Sequence, residues 1–151
     1  MNVRTRIVLD TNALASRLLV PDSIPGQAVR KAVNEGEILV SESTLYELAD
    51  VLGREKFDTY ISIQDREEFL RILGRIAQRV PILQAVHDCR DAQDNHSLEV
   101  AINGQAQLIV TGDEDLLVLN PFRGTPIMKP ADYLTWKNLS PSTSSLIRDD
   151  Q

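Results

Sequence analysis

Residues 6–12, RIVLDTN, decide the fold class of this chain of 151 residues. The first four, RIVL, form a short run rich in β-branched side chains, which predicts a buried strand over residues 6–9. The run stops at Asp10, Thr11 and Asn12, which are typical turn and helix-capping residues. A buried strand that ends in polar side chains before a helix is the opening of a β–α unit, and the same succession recurs along the chain.

Strands and helices alternate from residue 6 to residue 137. Pro and Gly close most of the helices, as at Pro21, Gly36, Pro81 and Gly104. The predicted strands cover residues 6–9, 37–40, 82–86, 108–111 and 126–128, and the predicted helices cover residues 13–19, 25–36, 44–52, 62–80, 91–104, 113–119 and 130–137. Such alternation implies right-handed crossovers. The predicted fold is α/β, a three-layer α/β/α sandwich with a mainly parallel central sheet of about five strands.

Length and composition indicate one domain. With 42% hydrophobic and 25% charged residues, the chain can bury a single sizeable core. We expect this domain to cover residues 1–137 and a flexible tail to cover residues 138–151. No apolar run approaches the roughly 20 residues that span a bilayer, and the lone Cys89 cannot form an internal disulfide. We therefore expect a cytoplasmic protein without a membrane segment, in which Cys89 is a packing residue.

The net charge of −6 argues against a broad basic surface that binds nucleic acid through its phosphates. The objection weakens if the negative charge lies in a metal-filled cleft and if arginines are grouped near its rim. The candidates for such a group are Arg4, Arg6, Arg17 and Arg54.

Four acidic residues fall where predicted strands end or the following helices begin. Asp10 ends the first strand and Asp113 follows the fourth. Glu47 lies in the first turn after the second strand, and Asp94 begins the helix after the third. Ligands of open parallel sheets collect beyond the carboxyl ends of the strands, so the four side chains are expected to meet there.

Each acid also has a purely structural explanation. Glu47 follows Thr44 at the spacing of a capping box. Asp94 follows Asp91 by three, so that one of them can cap the helix and the other can favour its first turn. Asp10 and Asp113 can be ordinary turn formers. The joint pattern is more specific than any single member.

Converging carboxylates repel one another, and either raised pKa values or a bound cation must relieve the repulsion. Mg²⁺ and Mn²⁺ prefer oxygen ligands, and these ions suit a cluster of carboxylates. His87 and His96 are not at ligand spacing with each other or with Cys89, which disfavours zinc. We expect both histidines to be surface or loop residues.

Several segments resemble, in order and spacing, the successive motifs of PIN domains. They are residues 9–12 (LDTN), residues 41–47 (SESTLYE), Asp94 with Ala101 seven residues later, and residues 111–115 (TGDED). Residues 89–101 (CRDAQDNHSLEVA) resemble in particular a PIN branch regarded as the toxin component of toxin–antitoxin systems. The resemblance covers about residues 6–134.

The resemblance implies a role for each matching residue. The catalytic, metal-binding acids would be Asp10, Glu47, Asp94 and Asp113. Supporting roles would fall to Asn12, Asp91, Thr111 and Asp115: Asn12 would steady the first acid, Thr111 and Asp115 would assist the ligands, and Asp91 would assist or replace Asp94.

The activity that the resemblance implies is that of a Mg²⁺- or Mn²⁺-dependent endoribonuclease. The cation would assist hydrolysis of phosphodiester bonds, and single-stranded or looped RNA is the expected substrate. The implied partners are a small antitoxin protein and a second copy of the chain in a homodimer.

Two other functions remain open. One is a phosphatase with Asp10 as nucleophile, as in haloacid-dehalogenase-like proteins, although those expect a second Asp where this chain has Asn12. The other is a binding module on a PIN fold, for which catalysis is dispensable. The presence of all four expected acids argues against the second.

Overall fold

The computed structural model describes residues 4–89 and 94–137. Its strands are β1 (Thr5–Leu9), β2 (Gly36–Val40), β3 (Gln78–Arg79), β4 (Leu108–Val110) and β5 (Ile127–Met128). Its α-helices are α1 (Thr11–Leu19), α2 (Ile24–Glu35), α3 (Glu42–Leu52), α4 (Ile63–Ile76), α5 (Asp94–Asn103), α6 (Glu114–Leu117) and α7 (Pro130–Thr135). A short 3-10 helix, Glu55–Phe57, joins α3 to α4.

The five strands form one parallel sheet in the order β3-β2-β1-β4-β5. Successive side chains of each strand point to opposite faces, and both faces are buried. Ile7 and Leu9 belong to one core, whereas Val8 belongs to a second core on the other face. Helices therefore cover the sheet on both sides, which confirms the α/β prediction.

The strand order places the first and fourth strands side by side. The chain builds the sheet outward from β1 in one direction through β2 and β3, and later returns to add β4 and β5 on the other side. The C-terminal ends of β1 and β4 are joined by a hydrogen bond from the Asp10 amide to the Val110 carbonyl, 3.3 Å long. Such a reversal of strand order opens a crevice beyond the strand ends.

Short polar side chains set the beginnings of five helices. Each accepts a hydrogen bond from a free backbone N–H of the first turn; these N-caps are Asp10, Ser23, Ser41, Ser62 and Asp113. Because Ser41 caps α3, the helix begins before Thr44. The capping-box explanation of Glu47 is therefore wrong, and Glu47 lies in the second turn of α3.

The predicted strand over residues 82–86 is wrong. The third strand is Gln78–Arg79, inside the predicted helix over residues 62–80, because α4 already ends at Ile76. The exposed edge of β2 offers hydrogen-bond partners at this point, and the Val80 amide donates to the Val40 carbonyl at 2.8 Å. Leu83 is 89% exposed, so the apolar character of residues 82–86 does not reflect burial in the sheet.

Cys89 is buried in the second core, as expected for a packing residue. Within residues 4–89 and 94–137, no helix has the length and apolar character needed to cross a membrane. The predicted tail over residues 138–151 and the candidate residue Asp91 lie outside the described residues.

Candidate metal centre

A cleft of about 240 Å³ lies beyond the C-terminal ends of β1 and β4. Its walls come from the start of α1, from α3 and the residue after its C-cap, from α5, and from the turn after β4. The lining residues are Asp10, Thr11, Asn12, Glu47, Asp50, Val51, Arg54, Asp94, Ser97 and Asp113. The structure thus brings the four predicted acids, together with Asn12, to one cleft.

Asp10 is held by two hydrogen bonds. Its Oδ1 accepts from the Ala13 amide at 2.8 Å, and its Oδ2 accepts from the Thr111 hydroxyl at 2.5 Å. Burial raises the pKa of Asp10, the two hydrogen bonds partly offset that rise, and the nearby charge of Asp113 adds to it. A negative charge at Asp10 is therefore unfavourable in this cleft, and a cation would relieve the cost.

Thr111 connects the first acid to the last. The side chain is fully buried, donates to Asp10, and accepts from the Asp113 amide at 3.0 Å. One hydroxyl therefore orients the carboxylate at the end of β1 and the backbone of the turn after β4. Thr111 therefore contacts both Asp10 and the backbone of Asp113.

Asp94, Asp113 and Asp115 form a compact set of acids. One carboxylate oxygen from each lies within 4.8 Å of the other two, and all three side chains are half-buried. Asp113 also accepts from the Asp115 amide at 2.9 Å. Asp115, expected only to assist, thus joins the close group, whereas Asp10 and Glu47 line the cleft beside it.

Glu47 has one satisfied and one unsatisfied carboxylate oxygen. Its Oε1 accepts from the Thr11 hydroxyl at 2.7 Å. Its Oε2 lies 3.3 Å from Nδ1 of His96, but the geometry is not that of a hydrogen bond, and both atoms are buried without a hydrogen-bond partner among the described residues. An unsatisfied buried oxygen of this kind is costly unless a ligand occupies it.

His96 is a residue that sequence reasoning missed. It was expected on the surface or in a loop, but it is half-buried on α5 and faces Glu47 on α3. No sequence signal marks this contact, because it depends on how two helices far apart in the chain pack together.

Asn95 is a second missed residue. Its buried side chain accepts from the Cys89 amide at 2.8 Å and donates to the Cys89 carbonyl at 3.1 Å. These two bonds tie the segment that ends at Cys89 to the start of α5, where Asp94 lies. Nothing in the sequence around Asn95 indicates that its side-chain amide binds the backbone of Cys89.

The four candidate arginines are not grouped at the rim of the cleft. Arg4 donates to the Gly36 carbonyl and Arg6 to the Gln105 carbonyl, both at the N-terminal edge of the sheet, opposite the cleft. Arg17 donates to a carbonyl of the turn after α1. Of the four, Arg54 lines the cleft.

The donors in the cleft fit a hard divalent cation. The clustered atoms are carboxylate oxygens, the ligands that Mg²⁺ and Mn²⁺ prefer. The unsatisfied Oε2 of Glu47 and the unfavourable charge of Asp10 are two further observations that a cation would account for. Asp94, Asp113 and Asp115 are a group that could hold the ion, and Glu47 and Asp10 line the same cleft as Asp94 and Asp113.

Comparisons with known proteins agree with this geometry. The family model of the PIN domain matches residues 6–115. The uncharacterized protein MJ1680 from Methanocaldococcus jannaschii is 31% identical over 121 residues, which cover 78% of this chain and 76% of that protein.

Two solved structures share the fold. VapBC2 from Rickettsia felis, bound to a DNA fragment from its promoter, aligns with a TM-score of 0.56 at 12% identity, over 83% of this chain and 98% of that one. PAE2754 from Pyrobaculum aerophilum aligns with a TM-score of 0.55 at 19% identity, over 86% of each chain. At these identities the likeness concerns the fold alone.

Proposed function

The chain belongs to the PIN-domain family, and on that premise we propose that it is a Mg²⁺- or Mn²⁺-dependent endoribonuclease. The observation that carries the proposal is the single cleft lined by Asp10, Glu47, Asp94 and Asp113. Chain segments up to about a hundred residues apart supply these acids. A purely structural set of helix-capping acids has no reason to converge in this way.

Different residues of the cleft would contribute to cation binding in different ways. Asp94, Asp113 and Asp115 offer the close oxygens, and Glu47 lines the same cleft as Asp94 and Asp113. Asp10 stays in a fixed orientation because both of its oxygens are hydrogen-bonded. A bound Mg²⁺ or Mn²⁺ would polarise the scissile phosphate and lower the pKa of an attacking water.

The charge of the cleft makes substrate binding depend on the cation. Several carboxylates facing one space repel a phosphodiester, whose charge has the same sign. Neutralising them converts the same space into a site that attracts phosphate. We propose single-stranded or looped RNA as substrate because its exposed chain can enter a cleft beyond the strand ends.

A toxin role in a toxin–antitoxin pair is part of the same proposal. It is supported by the resemblance of residues 89–101 to toxin-like PIN domains and by the likeness in fold to VapBC2. A cytoplasmic location, an antitoxin protein as partner and a homodimer follow from this role. Co-purification with the product of a small neighbouring gene, and light scattering of the isolated chain, test the two partners.

The decisive experiment is cleavage of a labelled single-stranded RNA with Mg²⁺ or Mn²⁺, and with EDTA. Asp10→Asn and Asp113→Asn are the informative variants, because Asn also caps helices and leaves the two N-caps in place. We expect each to lose at least about 100-fold in activity, because losing even a hydrogen-bonding partner of a metal ligand costs about 10–100-fold. Asp65→Asn, at the exposed start of α4, is the matched control and should cleave normally.

Three results would contradict the ribonuclease proposal. Cleavage that persists in EDTA would exclude the metal chemistry. A phosphorylated Asp10 trapped with a phosphomonoester would instead support the phosphatase. If expression of the chain arrests growth equally with and without Asp10→Asn, the protein acts as a binding module.

A further inference from the structure

The acidic cleft has a basic residue in its wall. Among the described lining residues Arg54 is the one cation, and the others are acidic or neutral. We propose that Arg54 binds a phosphate of the RNA chain next to the scissile one, so that the substrate is a polynucleotide extending along α3. This inference rests on the proposed function and deepens it, because it states on which side of the acids the bound RNA must continue.

Arg54 lies on the same wall as Glu47 but well away from it. Glu47, Asp50, Val51 and Arg54 line the cleft at spacings of three, four and seven residues, which place them on one face of α3 and its C-terminal extension. At a rise of 1.5 Å per residue, Arg54 is about 10 Å along the helix axis from Glu47. A group bound at Arg54 is therefore displaced from the acids, as a flanking phosphate would be.

The guanidinium of Arg54 has no competing partner in the described part of the chain. No hydrogen bond or ion pair of its side chain is found there, and Asp50, four residues earlier, is not within the 4.0 Å of an ion pair. Arg4, Arg6 and Arg17 are all held by backbone carbonyls. A planar guanidinium presents paired donors that match the oxygens of a phosphate.

The opposite side of the acids has a different character. A second cleft of about 380 Å³ shares Asp10, Asn12 and Asp113 with the first and continues past them. Its remaining lining residues are all uncharged: Ala13, Ser16, Pro25, Gly112 and Pro130. Among the described lining residues, a basic side chain is thus available for phosphate recognition on the α3 side of the acids and none is available in the second cleft.

A structural explanation of Arg54 competes with this inference. Arg54 directly follows Gly53, the C-cap of α3, and a cation at a helix C-terminus stabilises the helix through its dipole. That explanation predicts a lower melting temperature for Arg54→Gln and no change in RNA binding. The phosphate-binding role predicts a change in RNA binding whose size depends on salt.

The test uses the full chain, a fluorescein-labelled single-stranded RNA of mixed sequence, and Mn²⁺. For Arg54→Gln we expect KM to rise about 10-fold, the cost of one charge-assisted contact, with a much smaller change in kcat, because a flanking contact is equally strong in ground and transition states. The slope of log K against log salt, from anisotropy titrations, should become shallower by about 0.7, the value for one phosphate contact on a single strand.

Two further variants sharpen the test. Arg54→Lys keeps the charge and should recover most of the affinity and of the salt slope. Arg75→Gln removes an exposed arginine from the last turn of α4, which does not line the cleft. It should leave KM and the salt slope at their wild-type values.

The outcomes separate this inference from the proposed function. If the wild type cleaves RNA and Arg54→Gln has a wild-type KM and salt slope, the Arg54 site is overturned and the ribonuclease stands. If the wild type binds RNA without cleaving it and Arg54→Gln weakens binding with a shallower slope, the Arg54 site stands and the ribonuclease fails. If the wild type neither binds nor cleaves RNA, both are overturned.

Discussion

Asp10 and Asp113 each have a structural task in addition to the proposed one. Both cap helices, and both carboxylates accept backbone N–H groups while facing the cleft. The structural and functional explanations of these acids are therefore not alternatives. A side chain that caps a helix is held in one orientation, which is an advantage for a ligand of a metal ion.

The raised pKa of Asp10 predicts a stability gain on removal of its charge. An acid whose pKa is higher in the folded than in the unfolded protein destabilises the fold as it ionises. The free energy of unfolding of the metal-free protein should thus fall as the pH rises from about 3.8 through the raised pKa. In Asp10→Asn this decrease in the free energy of unfolding should be absent. The variant should therefore melt a few degrees higher than the wild type near neutral pH.

Thermal melts in EDTA over a range of pH check this prediction. The difference between wild type and Asp10→Asn isolates one carboxyl from all others. Identical dependence on pH in the two proteins would show that Asp10 ionises as easily in the fold as in the unfolded chain.

The Thr111 hydroxyl should be needed for both stability and metal binding. In Thr111→Val the amide of Asp113 loses its acceptor and Asp10 loses a donor, at a cost of about 1–3 kcal/mol in the free energy of unfolding. Metal affinity should fall because Asp10 is no longer oriented. Thr111→Ser keeps the hydroxyl and should retain the affinity. Urea denaturation and calorimetric titration with Mn²⁺ measure the two effects.

At the scale of elements, an asparagine at each end of α5 forms hydrogen bonds with the backbone of the preceding segment. Asn95 binds the backbone of Cys89, and Asn103 accepts from the amides of Leu83 and Gln84 and donates to the Gln84 carbonyl. The bonds of Asn103 offer a reason why the predicted strand over residues 82–86 does not form. The side-chain amide of Asn103 supplies hydrogen-bond partners to the backbone of Leu83 and Gln84. This backbone therefore does not depend on a neighbouring strand for those bonds.

The two asparagines provide a matched pair of variants. Asn95→Leu and Asn103→Leu should each lower the free energy of unfolding by about 1–3 kcal/mol, because each leaves backbone groups without partners. Asn95→Leu should also weaken Mn²⁺ binding, because Asn95 lies at the N-terminal end of α5 beside Asp94. Asn103→Leu should not, because Asn103 lies at the other end of the helix. Equal loss of Mn²⁺ affinity in both variants would show that α5 responds as a whole and that Asn95 has no special position.

At the scale of the whole molecule, the sheet topology creates the cleft and a cation should stabilise it. A ligand that binds only the folded state adds about 2.7 kcal/mol at a concentration 100 times its Kd. Mg²⁺ or Mn²⁺ should therefore raise the melting temperature of the wild type by roughly 5 °C or more. Asp113→Asn should lose most of this rise and Asp65→Asn none of it. A rise of equal size in Asp113→Asn would place the ion elsewhere.

Local sequence patterns were sufficient to predict the fold class and the position of the acids relative to the strand ends. Periodicity of apolar residues reports burial along one element, and Asp, Ser, Pro and Gly act on the backbone within a few residues. The end of α4 was not predictable in this way, because Gln78 and Arg79 are polar and exposed and become a strand only beside β2.

The sequence by itself determined that buried strands alternate with helices and that acids follow the strands, since both depend on interactions between near neighbours in the chain. Only the tertiary structure decided that Asp115 joins Asp94 and Asp113, that His96 faces Glu47, and that Arg54 is the arginine in the cleft. Those contacts depend on the directions in which separate helices turn their side chains. Directions of that kind are set by packing across the whole core, which no short stretch of sequence contains.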